Sequence, residues 1–519
     1  MKKRIMIQGT GSDVGKSVLA AALCRIFKQD GYRVVPFKSQ NMALNSYVTP
    51  DGKEIGRAQG VQAEACGVDA TADMNPILIK PSGSMRSQIV VRGKPLASME
   101  AKSYQHFADQ AWEIVKESYR RLEERADLVV IEGAGSPAEI NLRKREIVNM
   151  RVACWLQAPV LLVADIDRGG VFAQVVGTLE LLEPKERDLV AGIVINKFRG
   201  DPSLLESGLR WLEERTGKPV LGLIPHLPGL DLEAEDSMAL DTRVRPVTAG
   251  REDQLRLAVL RHPHISNFSD FDALENEPDV SLYYVQDAES LGNPDAIILP
   301  GSKNVPEDWL HWVRTGLAHR IRERAKQGTA IVGICGGYQM AGEEMADPHG
   351  VESHHPRVKG LGLFPLQTTF LSEKRTLRVE GIVTAGDDVW PALAGIGVKG
   401  YEIHMGITTR VPGGQPGRPL FRLAADGEDP REEGWLSPDG RHWGTYLHGV
   451  FDNDRFRREW LNVLRAEKGW PPLKLTFRYE EKREEAFERL AAHVRQHLDL
   501  KRLKRVLGWE EDEKITKGR

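Results

Sequence analysis

Short apolar runs recur along the first 225 residues, separated by segments with helical spacing: IMI at 5–7, VVPF at 34–37, LVVIE at 128–132, VLLVAD at 160–165 and GIVIN at 192–196. Runs this short and apolar at every position predict parallel strands buried on both faces. Between the first two, Leu19, Ala22, Leu23, Ile26 and Phe27 fall on one face of a helix that ends near Gly31. The opening is therefore a strand, loop, helix, strand unit of the doubly wound kind. Periodicity breaks over residues 226–254, a stretch rich in Pro, Gly and acids that reads as a linker. A second alternating series starts with LRLAVL at 255–260 and continues through LYYV at 282–285, AIILP at 296–300 and AIVGIC at 330–335. Beyond about residue 360 the pattern is less regular, and GRHWGTYLHGVF at 440–451 reads as a strand running into a loop. Phe487, Leu490, Ala491, Val494 and Leu498 recur at helical spacing and predict a C-terminal helix docked on the second domain.

The expected architecture is α/β, with two doubly wound domains at residues 1–225 and 255–519. A chain of 519 residues exceeds one ordinary core, which agrees with that division. With 41% hydrophobic residues, 28% charged residues and a net charge of -3, the composition is that of a soluble globular protein and counts against nucleic acid as a partner. The start, MKKRIMIQGTG, lacks the apolar core of a signal peptide, and no apolar stretch approaches the length of a membrane span. The cysteines, Cys24, Cys66, Cys154 and Cys335, show no metal-ligand spacing, which predicts a reducing, cytoplasmic setting without structural zinc. Cys24 and Cys154 lie in apolar patterns and read as packing residues. The KRLKR at 501–505 reads as a solvated helix face. Oligomeric state is left open.

Thr10, Gly11, Ser12, Asp13, Val14, Gly15, Lys16 and Ser17 follow a predicted strand and open a predicted helix, the context a phosphate-binding loop requires. Backbone N–H groups and the helix N-terminus would face phosphate oxygens, Lys16 would reach the terminal phosphates of ATP, and Ser17 would ligate Mg2+. Thr10 stands where the usual first glycine falls, with glycines displaced to Gly9 and Gly11. In this the segment resembles dethiobiotin synthetase and its kin, whereas the related partition-type ATPases carry a lysine at the position of Gly11. Glu132 ends a buried strand at the edge where ligands collect, so it is a candidate metal ligand, and it resembles the acid of the EGAG segment in that family. Asp13 and Glu54 are weaker metal candidates. The resemblance implies that Asn196 reads adenine; a strand-end Asn capping a turn is the competing explanation.

Cys335 sits in Gly333-Ile334-Cys335-Gly336-Gly337 directly after a predicted strand, which is a nucleophile elbow with Cys in place of Ser. The N–H of Gly336 and the backbone at Gly301 are oxyanion candidates. His448, in Tyr446-Leu447-His448-Gly449, is the first choice of base and His404 the second. The elbow, the Pro300-Gly301-Ser302 loop before it and the YLHG segment after it resemble class I glutamine amidotransferases in order, implying a flavodoxin-like domain that hydrolyses glutamine. Those relatives place an acid two residues after the base, where this chain has Val450. The third triad member stays open.

The pairing of the two halves is similar to the cobyrinate amidoligases of vitamin B12 synthesis. Within that family, residues 38–45 (KSQNMALN), 165–172 (DIDRGGVF), 265–272 (ISNFSDFD) and 400–406 (GYEIHMG) resemble the branch that forms cobyric acid. The resemblance implies amidation of adenosylcobyrinic a,c-diamide at its b, d, e and g carboxylates, driven by ATP with glutamine as nitrogen source. Lys38 is then expected to neutralise the transferring group, and Gln40, Asn41 and Asn45 to hold the corrinoid rim; a loop-forming role is the alternative for these polar residues. The a,c-diamide-forming branch and a partition-type ATPase scaffold with a non-catalytic second domain are the competing readings.

Overall fold

The computed structural model describes residues 2–82, 86–143, 146–230, 253–386, 388–414 and 416–509. Among these, six parallel strands form the first sheet, in the order Val220–Pro225, Val190–Phe198, Val160–Asp165, Lys3–Gly9, Leu128–Glu132 and Val34–Phe37. Their uniform apolarity has a direct cause. Ile5, Ile7, Val130, Leu161 and Val163 enter a core on one face, while Met6, Val129, Ile131, Leu162 and Ala164 enter a core on the other. Gly9, Glu132 and Asp165 end their strands, and Asn196 lies two residues before the end of its own, on one edge of the sheet, where open α/β sheets bind ligands.

Two features between the second and third strands of that domain escaped the pattern. One is a hairpin, Ser46–Val48 with Glu54–Gly56; the other is a four-stranded sheet ordered Gln40–Met42, Ile77–Pro81, Arg86–Val91 and Lys94–Glu100.

The second domain carries the sheet order Val280–Val285, Leu255–Leu260, Ala296–Leu299, Ala330–Ile334, His442–Thr445 and Trp435–Leu436, parallel except for the last pair. Beside it, Leu366–Val383 and Gly397–Arg410 form a long antiparallel hairpin that brings residues 401–405 to the edge of this sheet. Most of the predicted linker lies outside the described residues.

The C-terminal helix forms, Tyr479–His497, but it docks on the first domain. Phe487, Leu490, Ala491 and Val494 share a core with Leu19, Ala22, Leu23 and Ile26 of the helix Lys16–Gln29. Arg25 donates to Glu484 at 2.8 Å, and Asp499 N donates to Leu221 O at 2.8 Å. The reason is an uncovered apolar edge: Leu221 and Ile224 of the outermost strand have this helix as their cover. Among the described residues, no helix is long and apolar enough to cross a membrane.

Candidate active sites

The phosphate loop links the strand Lys3–Gly9 to the helix Lys16–Gln29 through Gly15, whose φ of 96° lies in the left-handed region. A side chain there would also collide with the Asn196 amide. Lys16 Nζ donates to Gly11 O at 2.7 Å and to Gly135 O at 3.1 Å, so the ammonium bridges the loop and the segment after Glu132. Beneath it, Glu132 Oε1 accepts from Ser17 Oγ at 2.7 Å and Lys38 Nζ at 2.9 Å, while Oε2 accepts from Gln62 Nε2 at 2.6 Å. A hydroxyl and a carboxylate side by side under a phosphate loop are oxygen donors of the kind a hard cation takes together with phosphate oxygens and water.

Around the rim, Asn196 Nδ2 donates to Val14 O at 2.9 Å, Thr10 Oγ1 donates to Gln174 Oε1 at 3.2 Å, and Ser12 and Asp13 are exposed. Asp13 pairs with Arg168 at 2.6 Å, and Lys197 pairs with Asp165 at 3.0 Å. Gln62 and Lys197 were not singled out by the sequence, and Arg168 only as part of the 165–172 segment.

Two expected residues lie elsewhere. Glu54 is buried between Lys80 and Lys374 and also accepts from Ser46 Oγ, so two ammonium groups occupy the carboxylate proposed for metal. Burial alone would raise its pKa, yet the lysines hold it well below the usual carboxylate range. Asn45 is fully buried, and its Oδ1 accepts from Phe268 N of the second domain at 3.2 Å. It is a residue of the domain seam, not of an open substrate surface. Lys38 faces Glu132, Asn41 Nδ2 donates to Gln59 Oε1 at 3.1 Å, and Gln40 is half-buried at the start of its strand.

In the second domain, Cys335 caps the helix Gly336–Ala341 with φ 51° and ψ -109°, a conformation costly for a residue with a side chain and common at nucleophile elbows. Close packing explains the paired glycines. A Cβ at Gly337 would fall on the Leu299 carbonyl, and one at Gly336 would stand 2.8 Å from Ser302 N. The loop carrying Gly301 thus touches the turn carrying the thiol. Gly301 also faces the base, since a Cβ on it would meet His448 Cε1 at 3.4 Å.

His448 is fully buried close to the Cys335 sulfur, and the thiol itself donates to Ile403 O at 3.6 Å. Its Nδ1 lies 2.6 Å from Asp270 Oδ2, and Asp270 Oδ1 accepts from Gly449 N at 3.0 Å. Tyr401 stacks on the imidazole with ring centroids 5.1 Å apart. Burial works against the charged ring, but the Asp270 carboxylate and the Cys335 sulfur outweigh it and push the pKa up to about 10. His404 differs: it stacks on Tyr446 at 3.7 Å, and burial pushes its pKa down to about 4.

Val450 offers no acid to His448, and Asp270 is the carboxylate that stands against its Nδ1. It precedes His448 by 178 residues, so no local spacing betrays it. The available signal was an acid inside the apolar FSDF, because a carboxylate folded into a core needs a partner.

A phosphate loop over a buried Ser17–Glu132 pair and a Cys335–His448–Asp270 array at an elbow define the chain as a two-domain, glutamine-hydrolysing ligase. Residues 5–239 match the CobQ/CobB/MinD/ParA nucleotide binding domain and residues 256–456 the CobB/CobQ-like glutamine amidotransferase domain. The cobyric acid synthase of Moorella thermoacetica is 54% identical over 516 residues, 98% of each chain. That of Geobacillus thermodenitrificans is 52% identical over 508 residues, covering 97% of this chain and 98% of the relative. The chain belongs to the cobyric acid synthase family.

Proposed function

We propose that this protein uses ATP and glutamine to amidate adenosylcobyrinic a,c-diamide at the b, d, e and g carboxylates, giving adenosylcobyric acid in the cytoplasm. The observation that carries the reading is the presence, in one chain, of the Cys335–His448–Asp270 array and the Lys16–Ser17–Glu132 site, in a protein about half identical to cobyric acid synthases along its length.

Cys335 Sγ yields its proton to His448 Nε2 and attacks the glutamine amide carbon. The N–H of Gly336 and the backbone at Gly301 steady the oxyanion. His448 returns the proton to the departing ammonia, and water clears the thioester. In the first domain, Lys16 and the loop amides hold the ATP phosphates while a corrinoid carboxylate attacks the γ-phosphorus. The resulting acyl phosphate loses phosphate to ammonia. Lys38 balances charge on the transferring group, Gln40 and Asn41 hold the corrinoid rim, and Asn196 contacts the base of the nucleotide. Magnesium fits beside Ser17 and Glu132, where it would supply charge neutralisation to the phosphate oxygens.

The test is the mass of the corrinoid product from the a,c-diamide with ATP and glutamine. Four added amides are expected, and a product left at the diamide would place the chain in the other branch. Cys335→Ala should abolish glutamine-supported synthesis and retain ATP-dependent synthesis from high ammonium at mildly alkaline pH. Full glutamine-supported activity in that variant would refute the assignment.

A further inference from the structure

Asn267 belongs to neither reaction as written above, yet it touches both domains at the catalytic base. It is 2% exposed and holds φ 51°, a left-handed conformation that Asn tolerates better than most residues. Its Oδ1 accepts from Ser46 N of the first domain at 2.9 Å, and its Nδ2 stands 3.3 Å from His448 Nε2. The orientation of this amide is dictated. A backbone N–H can only donate, so the oxygen must face Ser46 and the NH2 must face the imidazole.

That placement has a chemical consequence. His448 Nδ1 faces the Asp270 carboxylate and carries a proton, so Nε2 is the nitrogen that must take the thiol proton. An N–H aimed at Nε2 opposes a proton there. We infer that Asn267 is a positioning residue through which the first domain restrains the glutaminase, the amide being held toward His448 by Ser46 while the synthetase site is empty. The inference rests on the function proposed above.

Release is built into the same segment. Residues 38–46 begin at Lys38, which pairs with Glu132 beside Ser17, and end at Asn45 and Ser46, which bond Phe268 N and Asn267. Substrates that arrive beside Glu132 compete for Lys38 and bias this segment. Once Ser46 N withdraws, the Asn267 amide rotates by a half turn and presents Oδ1 to Nε2. The thiol proton then passes from Cys335 Sγ to His448 Nε2, and nothing else is gained or lost. Asp270 and the Cys335 sulfur favour the charged ring and the Asn267 N–H opposes it, so the restraint lowers the basal rate without abolishing it.

Asn267→Asp tests this, because a carboxylate accepts at both ends and keeps the shape. Glutamine hydrolysis without ATP and corrinoid should rise about tenfold in kcat, the worth of one such hydrogen bond, with KM for glutamine unchanged. The rate with ATP and corrinoid should stay at the wild-type level, so the stimulation ratio collapses from below. Asn267→Ala, which lacks the donor, should raise the same basal rate, and ammonium-supported synthesis reports that each variant is folded. A basal rate that does not rise in Asn267→Asp, an equal fall of basal and stimulated rates, or a wild-type rate indifferent to ATP and corrinoid would overturn the inference. Failure of the function itself looks different: wild-type protein would then show no glutamine hydrolysis that Cys335→Ala removes.

Discussion

Asp270→Asn probes the triad member that sequence spacing did not reveal. Asp270 makes two contacts, accepting from Gly449 N at 3.0 Å and facing His448 Nδ1 at 2.6 Å. The new amide must keep its oxygen toward the Gly449 N–H, which can only donate, and so turns its NH2 toward Nδ1. Nδ1 then becomes the acceptor and the ring proton moves to Nε2, the nitrogen that should receive the thiol proton. Loss of a charge-assisted hydrogen bond costs about 1.5 to 3 kcal/mol, and the reversed tautomer adds to it. A total near 4 kcal/mol corresponds to roughly a thousandfold loss in kcat/KM for glutamine. The assay is ammonia release under steady state, run beside ammonium-supported synthesis, which should persist because the phosphate loop and Glu132 are untouched. A loss smaller than about tenfold, barely one hydrogen bond's worth, in a folded variant would show that Asp270 only braces the Gly449 turn.

Two further outcomes follow from buried carboxylates. Glu54→Gln leaves Lys80 and Lys374 buried without their counter-charge and should cost about 3 to 5 kcal/mol in urea unfolding. Because the folded pKa of Glu54 is depressed, its contribution is present above the ordinary carboxylate pKa and lost as pH falls, so wild type and variant should converge in acid. The magnesium concentration for half-maximal synthesis should be unchanged in Glu54→Gln and raised in Glu132→Gln; the reverse pattern would restore Glu54 as the metal ligand. Glu433, which accepts from Tyr446 N at 2.7 Å, has its pKa pushed up to about 7 by burial and then by neighbouring Glu402. A raised carboxyl loses its contribution as pH climbs from about 4.5 through 7, so Glu433→Gln should raise Tm at pH 8 by a few degrees and leave it unmoved at pH 4. An equal shift at both pH values would show that packing, not charge, is responsible.

Legibility in the sequence followed the physics of each element. The five apolar runs of the first domain were visible because both faces of that sheet are covered, which makes every position apolar. The four-stranded insert was not, since strands such as Gln40–Met42 span three residues and carry polar side chains. The turns that carry Lys16, Ser17 and Cys335 were readable from local spacing because backbone geometry beside them demands glycine. Asp270 and Asn267 were quoted only as part of a family segment, because their partner His448 is remote in the chain. The contact of Asn45 with Phe268 was hidden for a related reason: a polar residue that faces another domain has the same local pattern as one that faces a substrate. The C-terminal helix was predicted as a helix but assigned to the wrong domain, since an amphipathic stripe says that apolar surface exists without saying what covers it.

That helix bears on how the two sites can cooperate. Beside the apolar contact of Val48 with Tyr401 and Ile403, the domain seam near Ser46 is polar: Ser46 with Asn267, Asn45 with Phe268, and Arg378 with Val48 O at 2.9 Å. Such contacts exchange with water at modest net cost, so a seam built from them can shift by small steps. An apolar clamp holds elsewhere. The helix Tyr479–His497 leaves the second domain and buries its stripe against the helix that opens at Lys16. The seam at Ser46 can therefore loosen while the domains stay attached, and on the proposed function ammonia formed at Cys335 stays close to the domain that consumes it. If the restraint at Asn267 could be relieved only by separating the domains, every turnover of glutamine would vent ammonia to water. An apolar clamp beside a polar seam lets one contact open without the other.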